Sequence, residues 1–223
     1  MSTKSALNKN RLTLQVIMAI AFVGLLIAAW RWPILGYFIP LCMVLGIGIA
    51  LFKGRKWCDW YCPRGSFFDA LSKVIKSRNI PGLFKGLPIR IGVLAFLMLM
   101  MASQIIRHWP DPYKIGAFFV TMLTATTIIG LILILVSHSR AWCTVCPIGS
   151  ISSWVGHKKN PLYLDSAKCT ECQLCHQACP VQIKPHSFKN QSIEIVQDGD
   201  CLKCGLCVDT CRKDALSFRN DVL

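Results

Sequence analysis

Eight cysteines between residues 169 and 211 fall into two runs with one spacing. Cys169, Cys172, Cys175 and Cys179, followed by Pro180, form the first; Cys201, Cys204, Cys207 and Cys211 form the second. Each run is Cys-x2-Cys-x2-Cys-x3-Cys, the spacing that holds iron–sulfur clusters. Three thiolates two residues apart wrap three corners of a cuboidal cluster, and the fourth corner takes a ligand from elsewhere. With two runs, the fourth cysteine of each crosses to the other cluster. Cys169, Cys172, Cys175 and Cys211 are therefore candidate ligands of one [4Fe–4S] cluster, and Cys201, Cys204, Cys207 and Cys179 of a second. Zinc fits poorly, because it draws on two separated cysteine pairs. A disulfide framework belongs to an oxidising compartment, and the charge pattern below places this segment on the reducing side.

Four further cysteines sit in two shorter motifs, Cys58-Asp59-Trp60-Tyr61-Cys62-Pro63 and Cys143-Thr144-Val145-Cys146-Pro147. Cys58, Cys62, Cys143 and Cys146 are candidates for a third site. Four thiolates could hold another iron–sulfur cluster or a zinc ion, or act as a redox dithiol pair, and spacing does not choose among these. Proline at a helix start, with Arg55, Lys56 and Arg140 nearby, predicts lowered thiol pKa values. Cys42, alone in an apolar stretch, reads as a small buried side chain.

The elements that must carry these motifs are mostly apolar. The chain has 223 residues with 25 basic against 11 acidic, a formal net charge of +14. Its mean hydropathy of +0.46 is wrong for a soluble ferredoxin. Uncharged apolar runs occupy Leu12–Trp30, Pro33–Phe52, Ile91–Ile106 and Ile115–Val136, each a candidate membrane-spanning helix. The first run is read as retained rather than as a cleaved signal, because a second span follows at once. Segment 53–90 carries nine Lys and Arg against Asp59 and Asp69, while the turn after the first run is very short, with Arg31, and that after the third holds only Arg107 and Lys114 against Asp111. The positive-inside rule then sets the N-terminus, segment 53–90 and everything after residue 137 in the cytoplasm. The basic residues flank apolar runs, and no aromatic-interleaved basic patch calls for nucleic acid.

A repeat runs through this part. Arg55-Lys56-Trp57-Cys58 and Arg140-Ala141-Trp142-Cys143 lie 85 residues apart, and each leads into Cys-Pro-x-Gly-Ser, at 62–66 and 146–150. The expected architecture is an all-α membrane domain of four transmembrane helices, two hairpin repeats with both termini inside, over residues 1–164. A small α+β two-cluster ferredoxin domain over 165–223 completes it, with short strands at Ser192–Val196 and Ala215–Arg219. A capping-box-like Ser66-x-x-Asp69 predicts a helix start. Phe67, Phe68, Leu71, Val74 and Ile75 would form its apolar face and Lys73, Lys76 and Arg78 its polar one, lying in the headgroup layer; Ile151, Trp154 and Val155 repeat this more weakly. Trp57, Tyr61 and Trp142 read as interfacial anchors. Haem is disfavoured, since no histidine lies inside a span and His108 and His138 sit at opposite edges. His176 and His186 read as surface residues, and Met98, Met100 and Met101 as packing or lipid-facing ones. No charge lies mid-span, so no ion path is indicated.

The four spans, the Cys-x3-Cys-Pro after the second, its shorter relative after the fourth and the two ferredoxin runs together resemble the membrane-bound 4Fe-4S polyferredoxins. This family includes the quinol-dehydrogenase membrane subunit of periplasmic nitrate reductase and the membrane protein that supports nitrous-oxide reductase. The resemblance covers nearly the whole chain; the second motif departs by one residue. It implies an electron-transfer component in the bacterial cytoplasmic membrane. Electrons would pass between quinone and a redox partner protein through two [4Fe–4S] clusters, within a membrane complex. An assembly factor that reduces a metal or thiol of another protein is the alternative. The 12 residues after Cys211 leave no room for the extra domain of a copper-oxidase assembly relative, which favours the first reading. The donor, the acceptor and the direction of flow are not legible.

Overall fold

The computed structural model describes residues 2–72, 79–189 and 195–218, with side chains from residue 10 onward. Four helices are long and apolar enough to cross a membrane: α1 (Ser2–Arg31), α2 (Phe38–Lys53), α5 (Leu87–His108) and α6 (Pro112–Val136). A pair of short helices follows α2, α3 (Lys56–Trp60) with α4 (Pro63–Ser72), and another follows α6, α7 (Ala141–Val145) with α8 (Pro147–Gly156). Beyond residue 161 come β1 (Leu162–Leu164), α9 (Leu174–Gln177), β2 (Ile195–Val196), α10 (Leu206–Thr210) and β3 (Leu216–Phe218).

Helix α6 is the centre of the bundle. Ile115, Phe119, Leu123, Thr127, Gly130 and Ile134 are buried at three- and four-residue intervals, one face of a helix. Ile128, Ile132 and Leu135 on the other side are exposed, as lipid-facing residues are. Asp111 starts the helix by accepting hydrogen bonds from the Tyr113 and Lys114 amides at 3.1 and 3.3 Å, with Pro112 in the first turn. The short 3-10 turn Pro33–Tyr37 opens α2, as its prolines suggest, and packs on the start of α6. A Cβ on Gly116 would overlap the Pro33 carbonyl, and one on Gly36 the Gly116 carbonyl. Two glycines therefore permit the backbone approach that closes this end of the bundle.

The short helices do not lie in the headgroup layer. Phe67 of α4 packs at 5.6 Å from Phe22 in the middle of α1, and Phe68, fully buried, fills the space over Gly130 of α6. Ile148 of α8 likewise packs against Gly46 of α2. Both helices plunge into the bundle. The physical reason is that Gly130 and Gly46 leave room where a side chain would not. Ser66 is no cap, since α4 begins at Pro63 directly after Cys62; Asp69 instead meets Arg140. Lys73, Val74, Ile75, Lys76 and Arg78 lie outside the described residues.

Helix α5 starts earlier than Ile91, and Arg90 is buried against Asp200. In the C-terminal unit β1 is the middle of an antiparallel sheet of order β2-β1-β3, pairing Leu162 with Val196 and Phe218, and Leu164 with Leu216. That sheet begins three residues before the expected boundary at 165, because Leu162 and Leu164 both point into its core. The core is not confined to the unit. Leu162, Leu164, Val181, Val196 and Leu202 continue into Trp57, Cys58 and Cys42, so the unit sits against the motif-bearing end of the bundle.

Candidate functional site

The eight ferredoxin cysteines gather into two sets of four. A cavity of about 160 Å3 is lined by Cys169, Cys172, Cys175 and Cys211, and a tighter one by Cys179, Cys201, Cys204 and Cys207. In each, the fourth thiol comes from the other run. The backbone around them repeats as well. Glu171 and Gln173 flank Cys172 with φ of 53° and 62°, and Lys203 and Gly205 flank Cys204 with φ of 54° and 85°. Gln182 and Asp214, each three residues after the last cysteine of its run, are left-handed too, at 55° and 48°. Left-handed non-glycine residues cost about 1 kcal/mol or more each, so something must hold them. What they achieve is an inward turn of peptide N–H groups, the concave arrangement that binds anions. Ile183 N and Ala215 N already point at the Cys179 and Cys211 sulfurs, at 3.4 and 3.3 Å. Thiolates and inward amides suit an anionic iron–sulfur cluster.

The two cavities differ in surroundings. The Cys179–Cys207 set faces the bundle, where Cys204 feels the charges of Asp59 and Arg11. The other set lies on the far side, and Cys172 is exposed there beside Glu171 and Lys168. His186 lines that outer cavity and His176 meets it edge-to-face at 6.2 Å; both are half-buried rather than surface residues.

The four membrane-edge cysteines also converge. Burial raises the Cys62 thiol pKa, and the neighbouring Cys58 and Cys143 raise it further. Burial likewise pushes Cys58 and Cys143 up, outweighing Arg55 and Arg140. The expected lowering therefore fails: the arginines are present, but desolvation dominates, and Lys56 turns away to lie 4.9 Å over Trp60. Zinc draws its sulfurs to about 2.3 Å from one point, and among the described residues no three His, Cys, Asp or Glu form a group able to hold a metal ion. The indole N–H groups of Trp57 and Trp142 are buried here with no partner among the described residues, so neither ring is an interfacial anchor.

Two arginines lock this arrangement reciprocally. Arg55 donates to the Cys143 carbonyl at 2.8 Å, and Arg140 to the Cys58 carbonyl at 2.7 Å. Each thus fixes the cysteine of the other motif. Arg140 also pairs with Asp59 and Asp69, and Asp59 takes a two-pronged contact from Arg11 at 2.6 and 2.8 Å. Arg55 pairs at 2.7 Å with Asp200, the residue before Cys201, and Arg90 and Ser153 hold the same carboxylate. Burial pushes the Asp200 pKa up, but Arg55 and Arg90 outweigh it and hold the group below the ordinary carboxylate value.

Below the thiols, all four long helices line an apolar cavity of about 80 Å3 that includes Cys42, Cys62 and Cys146. Arg64 reaches into it. Its guanidinium donates to Thr126 Oγ1 at 2.9 Å, near the middle of α6, contacts Cys146 Sγ at 3.5 Å and lies 5.3 Å over Trp142. A charge therefore does enter the membrane zone, carried in by α4 rather than by a span. The signal was available in the repeat: Cys-Pro-Arg-Gly-Ser in one copy stands where the other has Cys-Pro-Ile-Gly-Ser. Asp59, Asp69, Asp200, Arg11 and Arg90 gave no such signal.

Comparison with known proteins finds iron–sulfur domain families along the chain. The 4Fe-4S binding domain family matches the chain twice, at residues 35–81 and 118–161, and the 4Fe-4S dicluster domain family matches 161–212. The ferredoxin-type protein NapH of Haemophilus influenzae is 28% identical over 183 residues, covering 76% of this chain and 63% of its own length. The methylamine utilization ferredoxin-type protein MauN of Paracoccus denitrificans is 26% identical over 205 residues, 83% of this chain and 67% of its own. A ferredoxin of Methanothermococcus thermolithotrophicus is 31% identical over 55 residues, 25% of this chain and 88% of its own. No solved structure gives a significant match. The chain belongs to the membrane-bound 4Fe-4S polyferredoxins, as a ferredoxin-type iron–sulfur electron-transfer protein similar to NapH.

Proposed function

We propose that the protein carries electrons between the quinone pool and a redox partner protein through a line of three sites. The innermost is formed by Cys58, Cys62, Cys143 and Cys146, the middle one by Cys179, Cys201, Cys204 and Cys207, and the outer one by Cys169, Cys172, Cys175 and Cys211. Each bound [4Fe–4S] cluster supplies one-electron acceptance and release. The chain's own residues hold these sites in sequence and keep water out of the inner two. Asp200 fixes the middle set against Arg55, and through Arg55 against Cys58 and Cys143. Exposed Cys172 marks the outer end, where the partner docks.

The observation that carries this reading is the apolar cavity under Cys62 and Cys146. It opens within the bundle, is walled by all four long helices, and has one charged side chain in its wall, Arg64. A lipid-soluble ring with carbonyl or hydroxyl edges would fit there, held by the guanidinium beside the innermost thiols. The two domains of the proposal are the membrane unit and the two-cluster unit that starts near residue 161. The paired Arg-to-Cys-carbonyl contacts and the twofold family match favour two hairpin copies. The positive-inside rule favours cytoplasmic termini in a bacterial inner membrane. Arg64→Leu tests the quinone site. In proteoliposomes, electron exchange between a quinol or quinone analogue and the clusters, followed by their visible absorbance, is expected to slow about tenfold to a hundredfold, the worth of one charged hydrogen bond. Reduction by dithionite stays unchanged. Equal rates in wild type and variant would remove the quinone from this cavity.

A further inference from the structure

A second cleft lies at the same end of the bundle but away from the cysteines. It is about 460 Å3 and is lined by Phe52, Lys53, Lys56, Lys158, Lys159 and Asn160, with no acid among its walls. Among the described residues none of these four lysines forms an ion pair. Gathering like charges around one concavity is unfavourable unless an anion sits between them.

Membrane topology alone does not account for the cluster. Lys53 and Lys56 follow a spanning helix, but Lys158 and Lys159 follow α8, which does not cross the bundle. The fold brings the two segments together. A Cβ on Gly54 would lie 3.1 Å from the Gly156 carbonyl and 3.2 Å from that of Lys159. Asn160, with φ of 44°, then turns the chain back towards the cleft. The ligand implied is amphiphilic, because the wall continues as an apolar stripe. Leu41, Val44 and Phe52 on one face of α2 are 53, 71 and 80% exposed. Gly48, between them on that face, has nothing within 4 Å of a Cβ position, which leaves a notch.

We propose that this cleft binds the head group of an anionic phospholipid. Lys53, Lys56, Lys158 and Lys159 hold the phosphate, and one acyl chain lies along the Leu41–Phe52 face of α2, over Gly48. A bound lipid would brace the α2–α3 junction that carries Cys58.

The test uses the full-length holoprotein, washed in detergent and placed in nanodiscs of phosphatidylcholine with or without phosphatidylglycerol. Lipid retained per protein is measured by mass spectrometry, and stability by the thermal midpoint. The wild type is expected to retain phosphatidylglycerol and to melt higher with it. Lys158→Gln with Lys159→Gln is expected to bind it about thirtyfold more weakly, at about 1 kcal/mol per lysine, while melting as wild type in phosphatidylcholine. Gly48→Leu, which fills the notch and spares every lysine, also weakens retention. Lys114→Gln, at the other end of the bundle, leaves it unchanged. Equal retention by wild type and the double variant would overturn the proposal, as would equal loss in Lys114→Gln. Stabilisation by inorganic phosphate or glycerol phosphate equal to that by the lipid would show a free-anion site instead. No preference for phosphatidylglycerol over phosphatidylcholine would leave these lysines to an acidic protein partner and end the lipid assignment.

Discussion

Arg140→Met unfolds or severely destabilises the protein, by about 3–5 kcal/mol, the cost of removing one partner from a buried ionic group. The side chain is fully buried and serves three acceptors: the Cys58 carbonyl, Asp59 and Asp69. Asp59 keeps Arg11 when Arg140 is lost, but among the described residues Asp69 keeps only the side-chain amide of Gln15, at 3.2 Å. Arg140→Lys does not rescue it, since an ammonium cannot reach three acceptors with a planar fork. Thermal unfolding in detergent checks this, against Lys114→Ala as a control. Lys114 pairs with Asp111 at 3.2 Å on the surface, where such pairs are screened, and its loss leaves the midpoint unmoved. A midpoint for Arg140→Met within a degree or so of wild type would mean that the reciprocal arginine lock holds nothing.

Asp200→Ala acts on a different link. Arg55, whose side chain is 0% exposed, and Arg90, at 7%, then share no carboxylate. Two buried cations left without an acid weaken the contact they share. The damage falls between the two halves of the molecule rather than within either. Each four-cysteine cavity keeps all its thiols, and the bundle keeps its helices, but the contact that fixes Cys201 relative to Cys58 and Cys143 is gone. The expected result is normal iron content with electron transfer between membrane carrier and clusters reduced by at least tenfold, a loss of roughly 1.4 kcal/mol or more in coupling. Asp200→Glu, longer by one methylene, recovers part of it. Unchanged transfer in Asp200→Ala would detach this carboxylate from the electron path.

Local spacing made the ferredoxin cysteines and the four apolar spans legible, since a thiolate run and an uncharged stretch each declare themselves within about 20 residues. The ionic scaffold did not. Arg11 meets Asp59 across 48 residues, Arg140 meets Asp69 across 71, and Arg55 meets Asp200 across 145. No periodicity links such pairs, and Asp59 and Asp200 look like ordinary polar neighbours of cysteines. The re-entry of α4 and α8 is hidden for a related reason. Phe67 and Phe68 suit a membrane surface as well as a bundle interior, and only Gly130 and Gly46 on other helices decide between them. Thiol ionisation is not legible either, because nearby arginines are visible in sequence whereas desolvation is not. The repeat itself was readable, yet its one informative mismatch, Arg64 against Ile148, acquires meaning only when both are seen beside the same cavity.

The most direct test of the line of three sites is a count of iron and acid-labile sulfide in anaerobically purified protein, with Cys58→Ser and Cys143→Ser variants alongside. Three four-iron sites predict about twelve irons in the wild type, falling to about eight in either variant while the ferredoxin cavities stay filled. About eight irons in all three proteins would contradict it, leaving Cys58, Cys62, Cys143 and Cys146 without a cluster and the path from the membrane cavity broken at its first step.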